Sequence, residues 1–532
     1  MNIASHLSQL ADEEPDRKAL IYPEGSLTYG ELDNLSTRCA NGLERSGLKR
    51  GTRTVLMVRP GPEFLILCFG LIRLGAIPVL VDPGMGWKNL GRCLGSARPK
   101  AFVGTSLAHV ARIVFGWASD TIQLKVTVGG LRLWPGTSFQ SIIRQGAVST
   151  VAETTSGQET AAIVFTTGST GVPKGVVYTH EMFRAQIELL RNQFGISPGE
   201  TALATFPLFA LFDPALRVTT VFPRMDFTRP GRVNPREVLN PIQEHACTHM
   251  FGSPALLDIV GRYAEKNPLR LPTLRRVLTA GAPISVKTLR RFSKLLTGDA
   301  DIHTPYGATE ALPVCSISGQ EILRENGAAK GKGVCVGLPV TGVKLVIIRI
   351  TDEPVEQWSD ELTVASGEIG EITVWGANVS REYFELPGAN EQAKIRGPDG
   401  AIGHRMGDLG YLDERGRVWF CGRKSHRIIT KSGTFFTVPC EGVFNQHQAV
   451  HRSALVGIGE PPSQEPILCV ELEEGYKGSS VLADEILALG ASLPQTRKIT
   501  RLLFHPSFPV DIRHNAKIFR EKLAVWAAGR VR

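Results

Sequence analysis

The sequence predicts an α/β architecture, a large layered N-terminal unit followed by a small α+β unit. Three observations carry this prediction. Short β-branched runs alternate with longer helical patterns through the first four hundred residues, the rhythm of strands buried between helical layers. A loop rich in glycine and hydroxyl residues, with one lysine, separates two apolar strands near residues 166–175. After Gly422, about 110 residues carry a strand and helix pattern of their own, enough for a small independent domain.

In chain order, TVLMV (Thr54 to Val58), AIPVLV (Ala76 to Val81) and AAIVF (Ala161 to Phe165) read as strands. Helical spacing of apolar residues runs through Pro62 to Leu74 and Met182 to Phe194. The most apolar stretch, Phe64 to Val81, is interrupted by Arg73, two glycines and Pro78. It therefore reads as a buried helix and a strand, and no transmembrane segment is predicted. MGDLGYLDERGRVWFCGR reads as strand, a turn at Asp413 to Gly416, and strand again. Beyond Gly422, SALVGI and ILCVEL read as strands, and Leu482 to Leu493 and the segment from Ile518 as helices.

Composition narrows the class. Of 532 residues, 42% are hydrophobic and 21% charged, which excludes a disordered scaffold. The net charge of +9 is spread without a long basic run, so nucleic acid is not a predicted partner and an anionic small substrate accounts for the excess. Nine cysteines, an odd number with no C-x-x-C pair, read as reduced and buried in a cytoplasmic protein. The N-terminus lacks a basic stretch followed by an apolar one, so no signal peptide is predicted.

The chemistry is concentrated in TTGSTGVPKG. Gly168, Gly171 and Gly175 allow tight turning and present backbone N–H groups, Thr166, Thr167, Ser169 and Thr170 add hydroxyls, and Lys174 adds a positive charge. Such a loop suits a polyphosphate. It is not a Walker loop, because Pro173 stands before Lys174 and no helix pattern starts there.

This loop resembles the phosphate loop of the adenylate-forming superfamily of acyl-CoA synthetases, luciferases and adenylation domains. Further segments match that superfamily in order along essentially the whole chain. AGAP at Ala280 to Pro283, with Gly281 and Ala282, resembles the strand end of the adenine pocket. YGATE resembles the segment in which Tyr306, Gly307 and Ala308 cover adenine, Thr309 contacts the α-phosphate and Glu310 holds Mg²⁺. GEIGEITVWG resembles a strand pair near the domain boundary. Asp408 and Arg423 stand where the family binds the ribose hydroxyls, KSGTFFTVPCE fits its K-S-G…P-x-E loop, and Lys517 occupies the place of its catalytic lysine. The resemblance implies an N-terminal adenylation domain over 1–421, a hinge at 422–426 and a small mobile domain over 427–532. It also implies ATP and Mg²⁺ as cofactors.

Each implied role has a physical reason. A carboxylate approaching the α-phosphorus of ATP must overcome repulsion between anions, and Lys517 would neutralise the charge that develops. A hard cation on Glu310 would screen the triphosphate. Asp408 can accept hydrogen bonds from two hydroxyls and so fix the nucleotide.

Three departures narrow the function. Acyl-CoA synthetases commonly read P-L-F-H, with the histidine guarding thiol access, whereas FPLFALFDP places Ala210 there. The hinge reads GRKS, with Ser425 in place of the usual acid, and the lysine loop reads HNAK. These variants, with FALFDPAL, GKGVCVG and HRMGDLGYLD, resemble the β-lactone synthetases of long-chain olefin biosynthesis. That resemblance implies a 2-alkyl-3-hydroxy fatty acid, activated as acyl-AMP and closed to a lactone by its own hydroxyl. It further implies a thiolase, a ketoreductase and an α/β-hydrolase-type enzyme in the same pathway. The alternatives are a fatty acyl-CoA or acyl-carrier-protein ligase, and a non-catalytic lipid-binding subunit. Asp213 and His180 lie near the candidate pocket segments and read as structural residues.

Overall fold

The structure, a computed structural model, describes residues 2–148, 155–167, 173–325, 327–510 and 518–531. Two seven-stranded sheets organise the N-terminal part. The first runs, in spatial order, Thr137–Ser138, Leu124–Val128, Ala101–Thr105, Arg53–Met57, Ile77–Val81, Thr160–Thr167 and Pro173–Thr179. It is parallel throughout except for the last strand, which folds back as a hairpin. The second sheet, from Asp301–His303 through Arg276–Leu278 and His249–Phe251 to Lys18–Tyr22, is likewise parallel until its terminal hairpin.

One hydrophobic cluster joins the two sheets, containing Ala101 and Val103 of the first and Leu20 and Ala202 of the second. Three helices contribute to it: Tyr29–Arg45, Pro62–Arg73 and His180–Phe194. Each starts where its sequence dictates. Thr28 and Glu31 cap one another's backbone at the first, and Pro62 opens the second, where a missing N–H is harmless. The polar interruption foreseen at Arg73 is a buried guanidinium that pairs with the half-buried Asp33.

An eight-stranded antiparallel sheet follows, linking Tyr306–Ala308, Ala311–Ser316, Val334–Pro339, Val418–Arg423, Ile402–Leu412, Gly370–Trp375 and Lys344–Ile348, with Lys394–Arg396 paired at one side. Only Gly370–Trp375 of the GEIGEITVWG segment is a strand; its start is a turn, so the strand pair expected there is one strand with partners on both sides.

From Ile428 onwards a three-stranded sheet and the helices Thr437–Phe444, Ser480–Ala491 and Arg520–Ala528 build separate cores. The clusters of 428–531 share no residue with those of 3–420. Polar ties cross between the two parts: Lys287 Nζ reaches Glu473 Oε1 and the Val450 carbonyl, each at 3.2 Å. All nine cysteines are free and buried. Among the described residues no helix is long and apolar enough to cross a membrane.

Candidate active site

The strands that flank the phosphate-loop segment pair as a β-hairpin. Thr166 pairs with Lys174 and Thr167 with Pro173, so these residues stand at the carboxyl end of a parallel strand. That end of an open sheet is where such folds place their ligands. Gly168, Ser169, Thr170 and Gly171 lie outside the described residues. Lys174 is half-buried, and its Nζ lies 4.9 Å from the centre of the Tyr383 ring. Burial lowers its pKa, while the Glu310 charge works in the opposite sense.

YGATE forms a second hairpin, in which Tyr306 pairs with Cys315 and Ala308 with Ala311, leaving Thr309 and Glu310 at its tip. Gly307 is required there, because a Cβ would come within 2.5 Å of the Ala311 carbonyl. Two tyrosines hold the tip. The Tyr178 hydroxyl donates to the Thr309 carbonyl at 2.7 Å, and the Tyr383 hydroxyl donates to Glu310 Oε1 at 2.7 Å.

Asp408 and Arg423 face one another across neighbouring antiparallel strands. Arg423 Nη1 lies 3.0 Å from Asp408 Oδ1, and the Tyr306 hydroxyl donates to Asp408 Oδ2 at 2.7 Å. The Asp408 charge raises the Arg423 pKa, so the guanidinium stays charged. The structure thus brings Lys174, Tyr306, Glu310, Asp408 and Arg423 into one charged cluster. Gly281, Ala282 and Pro283 follow the strand Arg276–Leu278, which pairs with Asp301–His303 just before Tyr306. They follow the end of that strand at which Leu278 pairs with His303. Lys517 lies outside the described residues; its flanks are tied, since Val510 pairs with Ile518 and Arg520 forms a two-pronged ion pair with Glu441.

The residue types alone did not point to Tyr178, Tyr383 and Lys394. Tyr383 pairs with Val176, and the Phe384 N–H donates to the Gly175 carbonyl at 2.7 Å, which locks this segment onto the phosphate hairpin. Lys394 is buried, donates to the Ser380 carbonyl at 2.5 Å and hydroxyl at 3.0 Å, and lies 5.3 Å from the Tyr383 ring centre. Burial brings its pKa down to about 7.

A narrow apolar cavity of about 30 Å³ is lined by Phe209, Ala210, Phe212, Leu216, Phe251 and Leu278, with Asp213 and His249 as its polar members. Ala210 is fully buried in this wall. Asp213 Oδ2 accepts the Thr220 hydroxyl at 2.5 Å, and burial pushes the Asp213 pKa up to about 6. His180 accepts the Ile3 N–H on Nδ1 at 3.3 Å, and burial lowers its pKa to about 4. It ties down the N-terminal segment.

A profile of AMP-binding enzymes matches residues 7–384. The chain belongs to the AMP-binding enzyme family. Two of its relatives are olefin β-lactone synthetases. The one from Xanthomonas campestris pv. campestris is 46% identical over 99% of this chain and 97% of its own length. The one from Stenotrophomonas maltophilia is 47% identical over 99% and 98%. Among solved structures, the fold matches Bacillus subtilis o-succinylbenzoate CoA synthetase, in complex with ATP and magnesium ion, at a TM-score of 0.77 and 21% identity, covering 97% of this chain and 98% of that one. Membership in the AMP-binding family makes this an ATP-dependent, AMP-forming ligase, and the charged cluster is its candidate nucleotide site.

Proposed function

We propose that the protein is a β-lactone synthetase of olefin biosynthesis, converting a long-chain 2-alkyl-3-hydroxy fatty acid and ATP into a β-lactone, AMP and pyrophosphate. Full-length identity of 46–47% to two olefin β-lactone synthetases carries this reading. Ala210, buried in the apolar wall where many acyl-CoA synthetases use a thiol-guarding histidine, supports it.

In this reading the segment 166–174 cradles the phosphates, with Lys174 as its fixed charge. Thr309 contacts the α-phosphate, and Asp408 and Arg423 hold the ribose. Gly281 to Pro283 and Tyr306 to Ala308 line the adenine site. The segment 422–426 serves as a hinge between the domains 1–421 and 427–532, and the small domain delivers Lys517 to the reacting carboxylate. Glu310 suits Mg²⁺. No group of three or more potential metal ligands gathers among the described residues, and one carboxylate plus substrate phosphates is how this cation is usually held. The ion would screen the triphosphate and the charge on the departing pyrophosphate.

The acid oxygen bonds to the α-phosphorus and pyrophosphate departs. The 3-hydroxyl oxygen then bonds to the acyl carbon as its C–O bond to AMP breaks, and the hydroxyl proton is lost. The nucleophile is already tethered, so no second substrate binds. A thiolase and a ketoreductase would supply such an acid, and an α/β-hydrolase-type enzyme would take the lactone. Nine free, buried cysteines fit a cytoplasmic setting. The experiment is incubation of the purified protein with ATP, Mg²⁺ and the 3-hydroxy acid, with CoA absent. AMP and the β-lactone should form together; AMP release that needs a thiol acceptor would instead make the protein an acyl-CoA or acyl-carrier-protein ligase.

A further inference from the structure

The helix Ser106–Val114 turns a stripe of apolar side chains outward. Its inner face buries Ala108, His109, Ala111 and Arg112, while Leu107, Val110, Ile113 and Val114 point outward and are 71%, 45%, 52% and 70% exposed. These four recur at helical spacing on one stripe, and the apolar stripe of a helix is normally covered. The exposed surface continues past both ends of the helix. At its carboxyl end Phe115 and Trp87, 50% and 54% exposed, stack with ring centres 5.4 Å apart. At its amino end Ser106 Oγ donates to the Leu131 carbonyl at 2.7 Å, which brings up Leu131 and Leu133, 76% and 84% exposed. Of the fourteen large apolar side chains exposed among the described residues, eight lie between Trp87 and Leu133. A concentration of this kind marks an interaction surface.

The chain segment that carries it is predominantly basic. Residues 83–148 carry eight lysines and arginines against a single acid, Asp120. Two of the basic residues are set within the patch itself: Lys88 directly follows Trp87, and Arg132 stands between Leu131 and Leu133. Bulky apolar and aromatic groups interleaved with cations, without balancing acids, suit an interface whose interior is hydrocarbon and whose surface is anionic. The rim of a protein partner ordinarily mixes polar groups of both signs. The patch also lies at a useful edge. The strand Ala101–Thr105, which feeds the helix, and the strand Thr160–Thr167, which feeds the phosphate hairpin, run parallel in one sheet and end on the same side.

We propose that the face formed by the Ser106–Val114 helix, Trp87, Phe115 and the Leu131–Leu133 loop docks on anionic lipid bilayers. A peripheral seat of this kind places the catalytic edge beside a pool of poorly soluble acids. The surface calls for a cover whichever acid the site takes, and docking is measured with neither ATP nor acid present, so its outcome is independent of the lactone reading.

The test is flotation of the full chain with vesicles of phosphatidylcholine alone or mixed with phosphatidylglycerol. The protein should float with the anionic vesicles far more than with the neutral ones, and added salt should weaken this. Leu107→Ser with Val114→Ser should abolish flotation, and Lys88→Glu with Arg132→Glu should weaken it by at least roughly five-fold per charge removed. Both pairs lie on exposed positions, so acid-driven ATP–pyrophosphate exchange with a short soluble acid should be unchanged and certifies the fold. Absence of flotation with anionic vesicles, or flotation that both pairs leave intact, would overturn the proposal. So would light scattering in which the vesicles are ignored while the serine pair dissolves a self-association, since the face would then bind protein.

Discussion

The Tyr383 hydroxyl donates to Glu310 Oε1 at 2.7 Å, joining a loop that pairs with the phosphate hairpin to the carboxylate proposed to hold Mg²⁺. Burial and then the Glu310 charge push the Tyr383 pKa up, so the phenol stays protonated and remains a donor across the working pH range. One Glu310 oxygen is thereby fixed by the protein, and the carboxylate is oriented before any nucleotide arrives.

Tyr383→Phe should therefore raise the Mg²⁺ concentration for half-maximal acid-driven ATP–pyrophosphate exchange by about tenfold, the worth of one hydrogen bond to a charged group. Glu310→Gln should do more, because an amide keeps the shape and loses the charge a hard cation requires. A Mg²⁺ titration of each variant checks this. A Glu310→Gln curve that overlays the parent would place the metal elsewhere.

Lys517→Ala should reduce acyl-adenylate formation by about 10²–10³ while leaving nucleotide binding nearly intact, since it removes a pre-placed charge at the phosphoryl transition state. Fluorescent ATP-analogue binding and pyrophosphate exchange separate the two effects. Unchanged exchange would remove this lysine from adenylation.

Asp213→Asn tests whether the acid that lines the apolar cavity is structural. Burial lifts its pKa from an ordinary 3.8 to about 6, so the folded chain prefers the protonated form. The stability this gives is present in full below about pH 4 and is lost as the pH rises through 6. The asparagine variant, which keeps an acceptor for Thr220, should be more stable than the parent above pH 6, by about 2–3 kcal/mol, with the gap closing below pH 4. Thermal melts across that range read it. Lactone formation should survive the change; its loss would make Asp213 the base for the 3-hydroxyl.

Ala210→His should leave CoA ligation inefficient, because a thiol path needs more than one residue. Thioester yield from the variant with CoA present is the readout. Robust thioester formation by the unmodified protein would sink the reading of Ala210 as a lost gate.

Local pattern made the first parallel sheet legible: AAIVF and TVLMV are strands because β-branched runs between helical stretches have little else to become, whereas no strand of the second was read. The antiparallel eight-stranded sheet was less visible. Its strands come from 306–316, 334–348, 370–375 and 394–423, and long-range pairing carries no short-range periodic signal. The site divides in the same way. Glu310, Asp408 and Lys174 were found through their motifs, whereas Tyr383 and Lys394 sit in segments with no such mark and meet the cluster only when Val176 pairs with Tyr383. Arg73, read as an interruption of an apolar run, is explained by Asp33, forty positions away.

The central claim is that the carboxylate, not the 3-hydroxyl, is joined to AMP. It is tested most directly by labelling both carboxylate oxygens of the 3-hydroxy acid with ¹⁸O and measuring the AMP by mass spectrometry. Carboxylate activation predicts one ¹⁸O in the AMP, the unlabelled 3-oxygen in the lactone ring, and retained configuration at the carbon that bears it. Unlabelled AMP, with both labels in the lactone and that carbon inverted, would contradict the account even if the lactone itself were confirmed.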